Sequence, residues 1–133
     1  MDEKKILIVD DDVDLLRGLT IRLKANNYEV VSATDAIFAV SVALEEKPDL
    51  IILDLGLPGG DGYVIMDRLG KITRTIGTPI IVLSAKDASL NKERAIKAGA
   101  QAFFQKPADN DELLAAIGKA LGQFAVSSTA DDI

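Results

Sequence analysis

The stretch Ile6-Leu-Ile-Val-Asp-Asp-Asp12 decides the fold, because four consecutive apolar residues that favour strands run directly into three acids. A strand that is apolar at every position, rather than at every second position, has both of its faces buried. Two further runs have the same character, Leu50-Ile-Ile-Leu53 and Ile80-Ile-Val-Leu83. Strands of this kind are typical of a parallel sheet that is covered by helices on both sides.

The rest of the chain supplies two weaker strands and the helices between strands. Residues 28–32 alternate in polarity as an edge strand does, and residues 102–104 form a short fifth run. Between the strands, apolar residues recur at helical spacing, as Val13, Leu19 and Leu23 do. The sequence therefore predicts an α/β fold, a (βα)5 doubly wound parallel sheet with the flavodoxin-like strand order 2-1-3-4-5.

The length of 133 residues suits one domain, which we expect over residues 1–124, with 125–133 as a polar tail or the start of a linker. The chain has neither His nor Cys, which excludes a Ser-His-Asp or Cys-His triad and a zinc or disulfide framework built from this chain. Any chemistry must therefore use carboxylates, lysines, hydroxyls and backbone amides.

Charge and hydropathy indicate the environment of the domain. The net charge of −6 argues against direct binding of nucleic acid or of an anionic membrane by this domain. No apolar run reaches membrane-spanning length, and the start Met1-Asp-Glu-Lys-Lys5 is too polar for a signal peptide. We therefore expect a cytoplasmic location.

Polar residues follow the strands where each strand ends. Asp10 and Asp11 follow the first strand, Asp54 follows the third, Ser84 the fourth and Lys106 the fifth. The carboxyl ends of parallel strands meet at one edge of a sheet, and ligands bind there at the point where the strand order reverses. Because strands one and three are neighbours in the predicted order, the three acids should converge at that point.

A group of three carboxylates and Lys106 carries a charge of −2, which a divalent cation would neutralise. Ligands that are all oxygen suit Mg²⁺ better than a softer metal. A carboxylate in such a site can accept a phosphoryl group, while a lysine and a hydroxyl stabilise the transferring oxygens. Asp54, Ser84 and Lys106 are the candidates for these roles.

The chain resembles the receiver domain of two-component response regulators over about residues 4–122. Five stretches that occur in order at the strand ends carry this resemblance. They are Ile6-Leu-Ile-Val-Asp-Asp-Asp12, Asp49-Leu-Ile-Ile-Leu-Asp-Leu-Gly-Leu-Pro58 with Asp61-Gly62, Pro79-Ile-Ile-Val-Leu-Ser-Ala85, Ala98-Gly-Ala100 and Lys106-Pro107.

The resemblance implies a role for each matching residue. Asp54 would be the phosphoacceptor, and the Mg²⁺ ligands would be the acidic pair Asp10 and Asp11, Asp54 itself and the backbone carbonyl of Gly56. Ser84 would move toward the phosphoryl group, and Lys106 would pair with that group. The bond between Lys106 and Pro107 is often cis in this family, which would orient the lysine side chain. Phe103 occupies the position of the switch aromatic, but it lacks the polar tip of the Tyr or His that the family often has there.

The same resemblance implies a signalling module rather than a metabolic enzyme, with only self-directed phosphotransfer and autodephosphorylation. A sensor histidine kinase or a phosphotransfer protein would supply the phosphoryl group, because this chain has no histidine of its own. A downstream output domain or protein would contact the surface formed by residues 88–124, here called the output face. The resemblance also allows a homodimer that forms on phosphorylation. Within the output face, the helix expected at 89–98 has the poorest apolar stripe and should be the most easily displaced element.

Two alternatives remain at this point. The triplet Asp10-Asp11-Asp12 also fits the Asp-x-Asp motif of a small Mg²⁺-dependent phosphohydrolase of the haloacid dehalogenase kind, with Asp10 as nucleophile. In that family Thr or Val is expected where Asp14 stands, and Asp54 would have no clear role. A degenerate receiver that serves only as a scaffold is the other alternative, against which the complete acidic set argues. Asp12 itself is better explained as a helix N-cap.

Overall fold

Five parallel strands form the central sheet of the computed structural model, which describes residues 3–123. They lie in the predicted order, with the second strand at one edge and the fifth at the other. The predicted tail at 125–133 and Phe124 lie outside the described residues. In chain order the strands are β1 (Lys5–Val9), β2 (Glu29–Ala33), β3 (Leu50–Leu53), β4 (Ile80–Ser84) and β5 (Ala102–Gln105).

Within residues 3–123, five helices connect and follow these strands, and an Asp side chain caps the N-terminus of each. Each capping carboxylate accepts a hydrogen bond from a backbone N–H of the first turn, a contact worth about 1 kcal/mol. Asp12 is the first of these caps, as the sequence predicts. The helices are α1 (Val13–Ala25), α2 (Ala36–Glu46), α3 (Gly62–Lys71), α4 (Ala88–Lys97) and α5 (Asn110–Ala120).

The core forms two apolar layers, one on each face of the sheet. Alternate residues of β1 divide between them, so that Leu7 faces α2 and α3 while Ile8 faces α1 and α5. The central strands β1, β3 and β4 are buried almost throughout, which explains why each contains four consecutive apolar residues. The predicted doubly wound (βα)5 architecture is confirmed.

Two details of helix packing differ from the apolar pattern. Val13 is 59% exposed, because it stands in the first turn of α1 beside the polar strand ends, and burial on this helix is complete only at Leu19 and Leu23. Leu114 of α5 matches the apolar spacing to Ile117 and Leu121, but the fully packed leucine of this helix is its neighbour Leu113. Neither difference changes the edge of the sheet at which the acidic residues meet.

Candidate functional site

The acidic residues converge because β1 and β3 are adjacent and in register. Val9 pairs with Leu53, so the next residues, Asp10 and Asp54, emerge side by side at the carboxyl end of the sheet. Asp10 and Asp54 are only 2% and 6% exposed, whereas Asp11 is open to solvent. One carboxylate oxygen from each of Asp10, Asp11 and Asp54 lies within 4.8 Å of the other two. The predicted convergence of the three acids is thus present in the structure.

Lys106 places its ammonium group against the two buried acids. Its backbone N–H donates to the carbonyl of Ser84 at 2.8 Å, which fixes the start of the loop after β5. From there the Nζ atom lies 2.8 Å from Asp10 Oδ2 and 3.5 Å from Asp54 Oδ2. The Lys106–Pro107 bond is cis, as the resemblance implies.

Burial is the largest electrostatic influence on Asp10. Burial raises the pKa of the Asp10 carboxyl, and the hydrogen bonds from Lys106 and from the Asp12 backbone N–H offset this only in part. Burial has the opposite effect on Lys106, whose pKa it acts to lower. The hydrogen bond to Asp10 and the charges of Asp10 and Asp54 outweigh burial and hold the pKa of Lys106 above its usual value. One lysine therefore does not fully offset the effect of burial on Asp10.

The donor set fits a hard divalent cation. All three side chains offer carboxylate oxygens, and the exposed Asp11 leaves one side of the group accessible to solvent. Around an octahedral Mg²⁺, neighbouring oxygens lie about 3 Å apart and opposite ones about 4.2 Å apart, so the carboxylate oxygens would have to move closer together by up to roughly 2 Å to bind one ion. The chemistry of this cluster is therefore compatible with Mg²⁺.

Ser84 is the last residue of β4, which lies between β3 and β5. It is fully buried, and its Oγ accepts a hydrogen bond from the backbone N–H of Lys86 at 3.3 Å. Its strand thus stands between the strands that carry Asp54 and Lys106. A side chain on this strand end is well placed to respond to a change at either neighbour.

The loop after β3 folds back on itself and contacts the side chain of Asp54 through a backbone N–H. Gly56–Leu57 pairs with Gly60–Asp61 in a short antiparallel ladder, and the N–H of Gly56 donates to Asp54 Oδ1 at 3.2 Å. Gly62 closes this loop, since a Cβ atom there would lie 2.7 Å from Leu55 Cα and 2.8 Å from the carbonyl oxygen of Asp54. Only glycine allows α3 to approach the backbone of the acidic site so closely.

The two aromatic residues of β5 point to opposite layers. Phe103 is buried in the layer that contains α2, α3 and Ala95 of α4, while Phe104 packs partly against the layer of α1 and α5. The candidate switch aromatic therefore lies beneath α4 with its ring turned inward. As a phenylalanine it can fill this space but cannot form a hydrogen bond there.

The phosphohydrolase interpretation does not fit this geometry. It requires the second acid of the Asp-x-Asp motif in the site, but Asp12 Oδ1 accepts the Leu15 N–H as the cap of α1. Among residues 3–123, the acids that group closely enough to hold a metal are Asp10, Asp11 and Asp54. Asp54 therefore belongs to the site, although the phosphohydrolase interpretation gives it no clear role.

Sequence reasoning missed the residues that support the site from α3. In the sequence Gly62 belongs only to the Asp61-Gly62 match, and no motif contains Tyr63. A glycine directly after the N-cap Asp61 and before an apolar helix is the one signal that could have indicated close packing at Gly62. No local pattern predicts the contacts that Tyr63 makes, because its partners lie 28 and more residues away in the chain.

Comparison with known proteins agrees with this geometry. The family model described as the response regulator receiver domain matches residues 6–118. The transcriptional regulatory protein KdpE of Mycobacterium tuberculosis is 40% identical over 116 residues, which cover 87% of this chain and 50% of that protein. The DNA-binding dual master transcriptional regulator RpaA of Synechocystis is 36% identical over 113 residues, 85% of this chain and 47% of that protein. The chain thus spans about half the length of these curated relatives.

Solved structures show the same fold. The BeF3-activated N-terminal receiver domain of Klebsiella pneumoniae RstA superposes with a TM-score of 0.81 at 30% identity, covering 89% of this chain and 98% of that one. Within residues 3–123, none of the helices combines the length and the apolar character needed to cross a membrane.

Proposed function

Because this chain belongs to the response regulator receiver family, a family of signalling modules rather than metabolic enzymes, we propose that it is a phosphorylation-operated switch of a two-component system. In this proposal Asp54 accepts a phosphoryl group from a histidine of a partner protein. The observation that carries the proposal is the grouping of Asp10, Asp11 and Asp54 around one point, with the ammonium group of Lys106 within 3.5 Å of Asp54.

The proposed metal is Mg²⁺, which receiver domains bind at an acidic site. Asp10, Asp11 and Asp54 would hold it through carboxylate oxygens, together with the backbone carbonyl of Gly56. When bound, Mg²⁺ would neutralise the negative charge that the phosphoryl oxygens bring to the site. The burial of Asp10 supports this assignment, because burial raises the pKa of its carboxyl, Lys106 offsets this only in part, and a bound cation would favour the ionised form.

The side chains of the site have separate tasks in the transfer. A carboxylate oxygen of Asp54 forms the new O–P bond while the P–N bond of the donor phosphohistidine breaks, and the imidazole nitrogen keeps the electron pair and takes up a proton. The Lys106 ammonium then pairs with a phosphoryl oxygen that would otherwise be repelled by Asp10. The Ser84 hydroxyl donates a hydrogen bond to another phosphoryl oxygen, and this draws the end of β4 toward Asp54.

The partners follow from the composition and from the relatives. A sensor histidine kinase or a phosphotransfer protein supplies the phosphoryl group, because the chain has no histidine. Two curated relatives that are twice as long are named as transcriptional regulators, which supports an output domain or a separate output protein that contacts the output face. A homodimer formed on phosphorylation and a cytoplasmic location are parts of the same proposal, as is the absence of nucleic-acid binding by this domain.

The experiment that tests this function is incubation with a small-molecule phosphodonor, followed by intact-mass analysis. We expect one phosphoryl adduct on the wild-type protein in Mg²⁺, and none in excess chelator. The Asp54→Asn variant should acquire no adduct under either condition, while the Asp67→Asn variant, which changes an exposed acid of α3, should behave as the wild type does. An adduct on Asp54→Asn, or equal labelling in chelator, would contradict the proposal.

A further inference from the structure

Helix α4 is attached to the rest of the domain by very little apolar packing. Ala95 is its one buried residue, while Leu90 is 77% exposed. The neighbouring helix α3, by contrast, buries five of its ten residues. Because most helical stability in proteins comes from a packed apolar face, other contacts must hold α4 in place.

The side chain of Tyr63 supplies such contacts from α3. Its ring is 8% exposed, and its hydroxyl donates to Asn91 Oδ1 of α4 at 3.0 Å. The guanidinium carbon of Arg94, one turn further along α4, lies 3.7 Å from the centre of the same ring, within cation–π distance. The Nδ2 group of Asn91 donates to the Asp87 carbonyl at 3.1 Å, which orients the amide oxygen toward Tyr63. One aromatic residue thus holds two successive turns of α4.

The position of α4 relates these contacts to the acidic site. The helix begins four residues after Ser84, and it covers the layer in which Phe103 is buried. At its N-terminus, the backbone N–H of Ala88 donates to Gln105 Oε1 of β5 at 2.8 Å. A shift of Ser84 therefore acts on α4 at one end, while Tyr63 resists the shift at its middle.

We propose that Tyr63, Asn91 and Arg94 form a latch that keeps α4 docked in the unphosphorylated domain, and that its release is the step that reshapes the output face. This inference rests on the proposed function of Asp54 for the trigger, but the docking of α4 in the resting protein does not depend on it. Polar and cation–π contacts suit a latch because each is weak and can be exchanged for water with little cost.

Hydrogen exchange of the α4 amides tests the latch in the resting protein. We expect exchange about 5-fold faster in Tyr63→Phe, which loses only the hydroxyl, and faster again in Tyr63→Phe combined with Arg94→Gln. Lys92→Gln is the matched control, since it removes one cation from the same helix at an exposed residue whose side chain forms no hydrogen bond or ion pair within residues 3–123. Its exchange should equal that of the wild type.

Asn91→Ala separates the latch from simple helix propensity. Alanine favours helix more than asparagine does, so an effect of propensity alone would slow exchange in α4. The latch predicts faster exchange, because the hydroxyl of Tyr63 loses the amide oxygen at 3.0 Å and keeps only the longer contact to the Asn91 carbonyl oxygen at 3.4 Å. Unchanged or slower exchange in both Tyr63→Phe and Asn91→Ala would overturn the proposal.

The release step is tested with BeF3⁻ and Mg²⁺ as a phosphoryl mimic. We expect the α4 amides of the wild type to exchange faster in the mimic. The roughly 5-fold difference in exchange rate between the wild type and Tyr63→Phe should then disappear, since an open latch has no hydroxyl contact left to lose. A gap that persists unchanged in the mimic would contradict release. Intact-mass analysis of the same variants keeps the two proposals distinct: a missing Asp54 adduct refutes the phosphoacceptor, while equal exchange in the resting proteins refutes the latch.

Discussion

Replacing Lys106 by glutamine tests the electrostatics of the site most severely, because this change leaves Asp10 buried without its ammonium partner. At an effective dielectric constant of about 20, two unit charges about 3 Å apart attract by roughly 5.5 kcal/mol. The cost of burying both charges removes part of this gain, and protonation of Asp10 limits the penalty in the variant. We therefore expect Lys106→Gln to lose about 3 kcal/mol of unfolding free energy in metal-free buffer, or about 10 °C in Tm.

Lys71→Gln is the matched control for this variant. The Lys71–Asp67 pair has almost the same separation, 3.0 Å against 2.8 Å for Lys106–Asp10, but its side chains are 74% and 62% exposed rather than 17% and 2%. An exposed pair at this helical spacing contributes about 0.3 to 0.5 kcal/mol, so the control should stay within that range of the wild type. Burial is then the variable that separates the two results.

Urea unfolding in chelator and in saturating Mg²⁺ supplies the measurement. Removal of Lys106 makes the acidic group more negative, so the variant should bind a divalent cation more tightly than the wild type does. Because binding to the folded state adds stability, Mg²⁺ should narrow the gap between variant and wild type by at least about 1 kcal/mol. A buried ion pair between Lys106 and Asp10 is excluded if Lys106→Gln costs no more unfolding free energy than Lys71→Gln in chelator, and a cation site beside it is excluded if Mg²⁺ leaves the difference between Lys106→Gln and wild type unchanged.

Two further predictions concern the backbone and the protonation of the site. Gly62→Ala should lower the free energy of unfolding by about 3 kcal/mol and weaken Mg²⁺ binding measured by calorimetry, because the new Cβ would meet backbone atoms of Asp54 and Leu55. Gly70→Ala, in the open part of the same helix, should raise the free energy of unfolding by up to about 1 kcal/mol. Equal effects of the two changes would be inconsistent with close packing at Gly62. In metal-free buffer the pKa of the Asp10 carboxyl in the folded state lies above its ordinary value of 3.8, so the folded state keeps the Asp10 proton to higher pH than the unfolded state does. The free energy of unfolding should therefore fall as the pH rises from 3.8 through the folded pKa. Unfolding curves at several pH values should show this fall for the wild type relative to Asp10→Asn, and parallel pH profiles would speak against it.

The fold and the acidic group could be predicted because the deciding signals are local. Four apolar residues in a row reveal a doubly buried strand, and the residue after such a strand must lie at the polar edge of the sheet. The placement of Asp10 and Asp54 follows from these two facts and from the adjacency of β1 and β3. Lys106 could be assigned to the same edge in the same way, although its distances to the acids could not.

The contacts that support the site could not be predicted, since they depend on the distances between elements. The need for glycine at position 62 arises from the separation of α3 and the Asp54 backbone, which no periodicity records. Tyr63 has the spacing of an ordinary core residue, and only the position of α4 shows that its hydroxyl reaches Asn91. Val13 has the spacing of the apolar face of α1, but it lies in the first turn of that helix, before the part that packs on the sheet, and is exposed.

The most direct measurement of the central claim is the location of the phosphoryl group on the chain. After reaction with a phosphodonor in Mg²⁺, reduction of the acyl phosphate with borohydride would mark the modified residue, and peptide sequencing by mass spectrometry would identify it. We predict that the mark lies on Asp54 alone. A mark on Asp10 or Asp11 would assign the chemistry to the first strand and contradict the account.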